Sequence, residues 1–175
     1  SERLLREVAN LIISDLSIRE IAQSISKMLC EYLKADRCLL HDYRDSQTTF
    51  VVEHCNSYSK KMFSENPSAL SVLGEYINFQ NHFYEKFGNK SKKSSLSIVE
   101  DVTSDTNFLP IKSICEKFSI VSQIVATTTF NDKVNGGIYI HQSSKRSWLV
   151  DEIELIETIA EQFSIALDRS NSIER

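Results

Sequence analysis

From Gly136 to Arg169 the chain reads GGIYIHQSSKRSWLVDEIELIETIAEQFSIALDR, and this run constrains the fold more than any other. A glycine pair opens a short strand, Ile138-Tyr139-Ile140-His141. Its period of two places Tyr139 and His141 on one face, with Ile138 and Ile140 on the other. A polar loop with Arg146 and Trp148 follows. Beyond it Ile153, Ile156, Ile159, Ala160, Phe163, Ala166 and Leu167 recur at spacings of three and four, the mark of a helix with a wide apolar stripe. Such a stripe can cover a sheet and still leave an edge for a partner helix.

The rest of the chain supplies that sheet. Leu4, Leu5, Val8, Leu11 and Ile12 repeat at helical spacing, as do Ile18, Ile21, Ala22, Ile25, Met28, Leu29 and Leu33. Ser14 to Ser17 interrupt the two runs, and Ser17 with Glu20 fits a capping box. The first helix reads as a connector from an upstream element, the second as packing on the sheet. Arg37–Tyr43 and Thr48–His54 read as strands around a turn at residues 44–47. Tyr76, Phe79, Phe83, Tyr84 and Phe87 lie at near-helical spacing, and residues 88–95 form a basic turn. Leu96–Val102 reads as a strand and Phe108–Phe118 as a short helix starting near Pro110. Gln123–Phe130 and Gly136–Gln142 read as a hairpin over Asn131-Asp132-Lys133. The expected class is α/β (α+β): a central antiparallel sheet, long terminal helices on one face and a pocket on the other.

Composition narrows the function classes. The chain has 175 residues, 41% hydrophobic and 25% charged, with a formal net charge of −4, which gives no electrostatic reason to expect nucleic acid or an anionic membrane. No apolar run reaches the roughly 18 residues of a membrane span, so the expected setting is cytoplasmic. Helical pattern runs into both ends, so a single domain over 1–175 is expected, excised from a longer protein. Its parts are an N-terminal connector helix at 1–14 and a C-terminal signalling helix at 150–175. Cys30, Cys38, Cys55 and Cys115 fit no zinc spacing and read as reduced core thiols. The alternative is a redox or metal sensor in which Cys30, Cys38 and Cys55 converge.

No Gly-rich phosphate loop, GxSxG, HExxH or kinase signature is present. His41 and Asp42, as neighbours in a strand, point to opposite faces. Asp151, Glu152, Glu154, Glu157 and Glu161 read as a solvated helix face favoured near the N-terminus by the helix dipole. Neither catalysis nor a metal site is expected of this chain.

The run from the glycine pair through His141-Gln142 and Arg146-Ser147-Trp148 to the acidic helix closely resembles the end of a GAF domain. In particular it resembles the phytochrome and cyanobacteriochrome branch. The two-helix lead-in to Ala35-Asp36-Arg37-Cys38-Leu39-Leu40, with Tyr43-Arg44 closing the strand, is similar to that branch's beginning. The resemblance spans Leu4 to Arg169 and implies a non-enzymatic sensory module of a signal-transduction protein. It further implies a sensor histidine kinase as the parent, with a two-component output domain in the same chain.

Against the branch's bilin sites, Pro110 and Ile111 stand where the attachment Cys-His would be. Gln80-Asn81-His82-Phe83 stands where some members carry Asp-x-Cys-Phe. No covalent bilin, and no cofactor, is therefore expected. Cys115, five residues on and swung to another face of the helix, is a remote attachment candidate and reads more simply as core. The resemblance makes Tyr43, His82, Phe83, Tyr139 and His141 the candidate pocket residues. A noncovalent tetrapyrrole, a cyclic nucleotide or another small ligand is the alternative to a domain that binds nothing. It also implies a homodimer through the terminal helices, for which Leu4, Val8, Ile156 and Phe163 are the candidate contacts.

Overall fold

Ser17 stops one helix and starts the next. Its hydroxyl accepts from the Glu20 backbone N–H at 3.2 Å, and the Glu20 carboxylate accepts from the Ser17 N–H at 3.2 Å. This reciprocal pair is the expected capping box. In the computed structural model, which describes residues 1–42, 49–54, 75–76 and 94–174, it separates α1 (Glu2–Ile12) from α2 (Ile18–Leu33). Lys34 ends α2 in the left-handed conformation, at φ 53°, and the chain turns directly into β1 (Arg37–Asp42).

The other elements are β2 (Thr49–His54), β3 (Ser94–Val99), α3 (Lys112–Lys117), β4 (Ser122–Phe130), β5 (Lys133–Gln142) and α4 (Val150–Glu174). Two 3-10 turns, Val102–Ser104 and Thr106–Ile111, precede α3. The five strands form one sheet in the order β2-β1-β5-β4-β3, every neighbouring pair antiparallel. The expected α+β class holds. The last strand, β5, enters the sheet between β1 and β4.

Several details differ from expectation, among them the start of β5 at Lys133, ahead of the glycine pair. The strand placed at 96–102 runs from Ser94 to Val99, because Asp101 caps a 3-10 turn with its side chain on the Thr103 N–H. The helix placed at 108–118 begins as a 3-10 segment around Pro110 and becomes α-helical only at Lys112. The β4–β5 hairpin turns on two residues, not three: Asn131 and Asp132 both take left-handed φ, at 50° and 63°. Paired positive φ is what a tight two-residue hairpin of the right twist requires.

The period of two sorts the sheet into two faces. Cys38, Leu40, Ile124, Ala126, Ile138 and Ile140 pack with α1, α2 and α4 in the larger core. Leu39, Val125 and Tyr139 face the other way, onto Tyr76, Val102, Phe108, Ile111, Cys115, Phe118 and Ile120. Both faces are covered, which is why residues 37–41 of β1 are all buried. The molecule is a three-layer sandwich, and on the face where a pocket is expected the described residues include an apolar cluster beside the sheet.

The helix layer overturns the proposed dimer contacts. Leu4, Val8, Ile156 and Phe163 are 9%, 0%, 0% and 1% exposed and belong to the chain's own core. Covering a five-stranded sheet takes the whole centre of the stripe, so these four residues present nothing to a partner. The first helix is likewise no mere connector, since Leu4, Val8 and Ile12 are core residues.

The Arg-x-Trp loop secures α4. The Arg146 guanidinium lies 4.1 Å above the Trp148 ring and pairs with Glu152 at 2.7 Å. Glu152 also accepts the Leu149 backbone N–H at 2.9 Å. The Trp148 indole N–H donates to the Ser122 hydroxyl at 3.1 Å, tying the loop to the start of β4. Among the described residues no helix is long and apolar enough to cross a membrane.

Candidate functional site

Strand register brings the polar residues of the second face together. Arg37 of β1 lies opposite His141 of β5, and His141 lies opposite Gln123 of β4. The three form a row across adjacent strands. The next row on the same face is Leu39, Tyr139 and Val125, which floors the cluster with apolar surface. Gly137 leaves room for the Tyr139 ring, which lies 3.0 Å from where a β-carbon would stand.

All members of the row are buried, with Arg37 at 2%, His141 at 1% and Gln123 at 0% exposed. Arg37 Nε donates to His141 Nδ1 at 3.0 Å, and its Nη2 donates to the Phe118 carbonyl at 3.0 Å. His141 Nε2 lies 3.2 Å from the Tyr76 hydroxyl. That hydroxyl donates in turn to Gln123 Oε1. The Tyr76 ring stands edge-on to His141, with centroids 5.1 Å apart, and edge-on to Tyr139 at 6.2 Å. His41 meets Tyr139 edge-on at 6.5 Å.

Arginine can only donate, so His141 Nδ1 must be the acceptor and its proton must sit on Nε2. Nε2 then donates to Tyr76, and Tyr76 to Gln123. The imidazole must be neutral for this chain of bonds to exist. Burial, and then the adjacent Arg37 cation, hold its pKa well below the ordinary 6.5, consistent with that state.

Stability should therefore depend on pH through this one ring. Unfolding returns His141 to a group that protonates near 6.5, so below that pH the unfolded chain binds the extra proton. Stability is complete above pH 6.5 and falls as the pH drops, by about 1.4 kcal/mol per unit for this one group. The loss stops once the folded imidazole itself protonates. Urea unfolding at pH 7.5 and 5.5 is expected to show a shallower loss for His141→Asn than for the unaltered chain.

The structure unites Tyr139 and His141, as alternation implied. It places His141 inside the protein, bonded at both ring nitrogens. Tyr43, His82 and Phe83, the other candidate pocket residues, lie outside the described residues. Sequence reading does not single out Arg37 or Gln123, and it places Tyr76 only within an aromatic stripe. The available signal is parity: Arg37 shares its face with Leu39, and an arginine opening an otherwise apolar strand must be partnered.

Cys115 is buried and free, and burial, followed by the Glu116 charge, pushes its thiol up to about 11. A thiol held protonated is a poor nucleophile. Iodoacetamide at pH 8 is expected to leave Cys115 unlabelled in the folded protein and to label it fully in urea, as read by peptide mass spectrometry. Cys38 is buried too, facing the helix layer, whereas Cys115 lies in the opposite cluster. Cys30 is disulfide-bonded, which corrects the expectation of a reduced thiol there and removes it as a metal ligand. Cys55 lies outside the described residues.

Among the described residues no three His, Cys, Asp or Glu side chains are placed to share a metal ion. An open groove of about 460 Å³ lies far from the cluster, between residues 13–18 and Ala166, Arg169 and Ser170 of α4.

The family model for the GAF domain matches residues 17–167. This chain belongs to the GAF domain family. Its fold is similar to that of GAF3 from Slr1393 of Synechocystis sp. PCC6803 in its photoproduct state. There the TM-score is 0.68 at 18% identity, over 91% of this chain and 98% of that one. It is similar to the blue-light-absorbing form of the PixJ GAF domain of Thermosynechococcus elongatus, at TM-score 0.63 and 14% identity, over 98% and 90%. A domain assigned to a two-component sensor histidine kinase of Sinorhizobium meliloti 1021 is similar at TM-score 0.62 and 12% identity, over 91% and 96%. At these identities the likeness speaks for the fold. No curated protein sequence matches the chain significantly.

Proposed function

We propose that this GAF domain is a non-catalytic sensory module of a sensor histidine kinase. In this reading it holds no bilin covalently and passes its state to the parent through the terminal helices. The observation that carries the reading is the double role of β5. On one face it presents the His141 cluster. On the other it is pressed by α4: Gly136 leaves room for Leu167, and Asn135 Nδ2 donates to Ser164 of α4 at 3.3 Å. The Thr128 hydroxyl donates to Asn135 Oδ1 at 2.6 Å and fixes that amide. A rearrangement of the polar row on one face thus bears directly on the seat of α4 on the other.

The reading without covalent pigment is supported by the buried, protonated Cys115 and by Pro110 and Ile111, which carry no nucleophile. The kinase setting is supported by the Sinorhizobium domain of like fold. Association of two copies belongs to the same reading, through the outward side of α4, where Val150 and Ile165 are 69% and 55% exposed.

Incubating the parent protein with radiolabelled ATP tests the kinase setting. The expected result is acid-labile, base-stable label on histidine; acid-stable label, or none, would overturn it. A second reading, a sensor of a noncovalently held small molecule, is favoured by the side-chain amide of Gln123, whose N–H group is buried without a partner among the described residues.

A further inference from the structure

We infer that the side-chain amide of Gln123 is a ligand-binding donor, giving a hydrogen bond to the carbonyl or carboxylate oxygen of a small molecule held on the second face of the sheet. The inference rests on the sensory reading of that face and names the chemistry recognised there. Gln123 is fully buried, and its Oε1 is taken by Tyr76. Its Nε2 is buried with no hydrogen-bond partner among the described residues. Buried amide donors are almost always paired, and one left over calls for an explanation.

The orientation of the amide is fixed by the bonds behind it. Arg37 makes His141 Nδ1 an acceptor, so His141 Nε2 donates to Tyr76, and Tyr76 donates to Gln123 Oε1. Rotating the Gln123 amide by half a turn would carry Oε1 away from the Tyr76 O–H and lose that bond. The NH₂ group is therefore the end turned away from Tyr76, and what it recognises must be an acceptor. A ligand presenting a donor at that point is rejected by the same bonds.

The relay starts on a cation, and each bond polarises the next. Nε2–H becomes a better donor, then the Tyr76 hydroxyl, then the Gln123 amide. That suits a carbonyl oxygen and suits a carboxylate better.

The test follows the side-chain amide of Gln123 in ¹⁵N-labelled protein, assigned by its disappearance in Gln123→Met. Two probes are titrated: biliverdin, which a far-red-absorbing domain of like fold holds, and acetate as a bare carboxylate. The expected result is a downfield shift of the Gln123 amide protons with either probe. Gln123→Glu keeps an acceptor for Tyr76 and puts a second, charged acceptor oxygen where the donor was, so it is expected to weaken biliverdin binding by about tenfold or more.

Biliverdin binding unchanged in Gln123→Glu would overturn the assignment while leaving the sensory reading intact. Failure of the unaltered protein to bind biliverdin would remove the tetrapyrrole reading alone, and the acetate arm then decides. A shift with acetate upholds the donor role, and its absence overturns it. Should the variants fail to fold, the titrations of the unaltered protein decide between the same two outcomes.

Discussion

Replacing Phe163 with alanine is expected to lower the unfolding free energy by about 3–5 kcal/mol, and Phe163→Asp to abolish cooperative folding. Phe163 is 1% exposed and lies in the larger core with Ile156, Ile159 and Leu167. Truncating it removes the transfer energy of the ring and leaves a cavity that a helix held by neighbouring contacts cannot close. A buried carboxylate adds a charge with no partner in an apolar layer. Domains of this size are stable by only about 5–15 kcal/mol, so the alanine change takes a large share and the charge takes the rest. Ile156→Asp should behave in the same way. The check is urea unfolding beside light scattering after gel filtration. Loss of structure is expected, in place of a folded monomer released from a dimer.

Gly136→Val is expected to cost at least the upper end of the roughly 1–3 kcal/mol typical of overpacking. Backbone conformation is not the reason, since no glycine described has positive φ. Space is. A β-carbon at 136 would stand 2.5 Å from Leu167 Cδ1 and 2.7 Å from the carbonyl oxygen of His41. Leu167 could swing aside, but the carbonyl belongs to β1, which is antiparallel to β5 at that point. Relief therefore requires α4 to lift or the β1–β5 pairing to open. Thermal unfolding and near-ultraviolet circular dichroism should both change, whereas Gly137→Ala, whose neighbour is the Tyr139 side chain, should cost less.

These two positions show what the sequence makes legible. Periodicity in α4 marks Phe163 and Ile156 as members of one apolar stripe, and the stripe is real. It carries no information about whether a sheet or a partner lies against it. Only the assembled sheet, broad enough to need the whole centre of α4, settles that these residues are core. The Gly136-Gly137 pair announces a strand with something close by, yet Leu167 lies far along the chain and only the fold supplies it.

The same holds for the site. Alternation places Tyr139 and His141 on one face, because side-chain direction within a strand is local. The row Arg37–His141–Gln123 is not local. It depends on β5 entering between β1 and β4, and no periodicity encodes which strands become neighbours. Tyr76 is visible as an aromatic at helical spacing, a pattern that ordinarily means core. Its hydroxyl, between His141 and Gln123, is what makes it more than that. The capping box at Ser17 is legible for the opposite reason: donor and acceptor lie three residues apart.

A GAF sensor that holds no pigment covalently can be tested by one measurement above all. The protein is co-expressed with a bilin-producing pathway, and its visible absorption is recorded before and after denaturation in acidic urea. No visible absorption should remain on the denatured chain, whether or not the folded protein was coloured. Pigment that stays on the chain through denaturation would contradict the absence of a covalent link, and would make a thiol read here as inert the point of attachment.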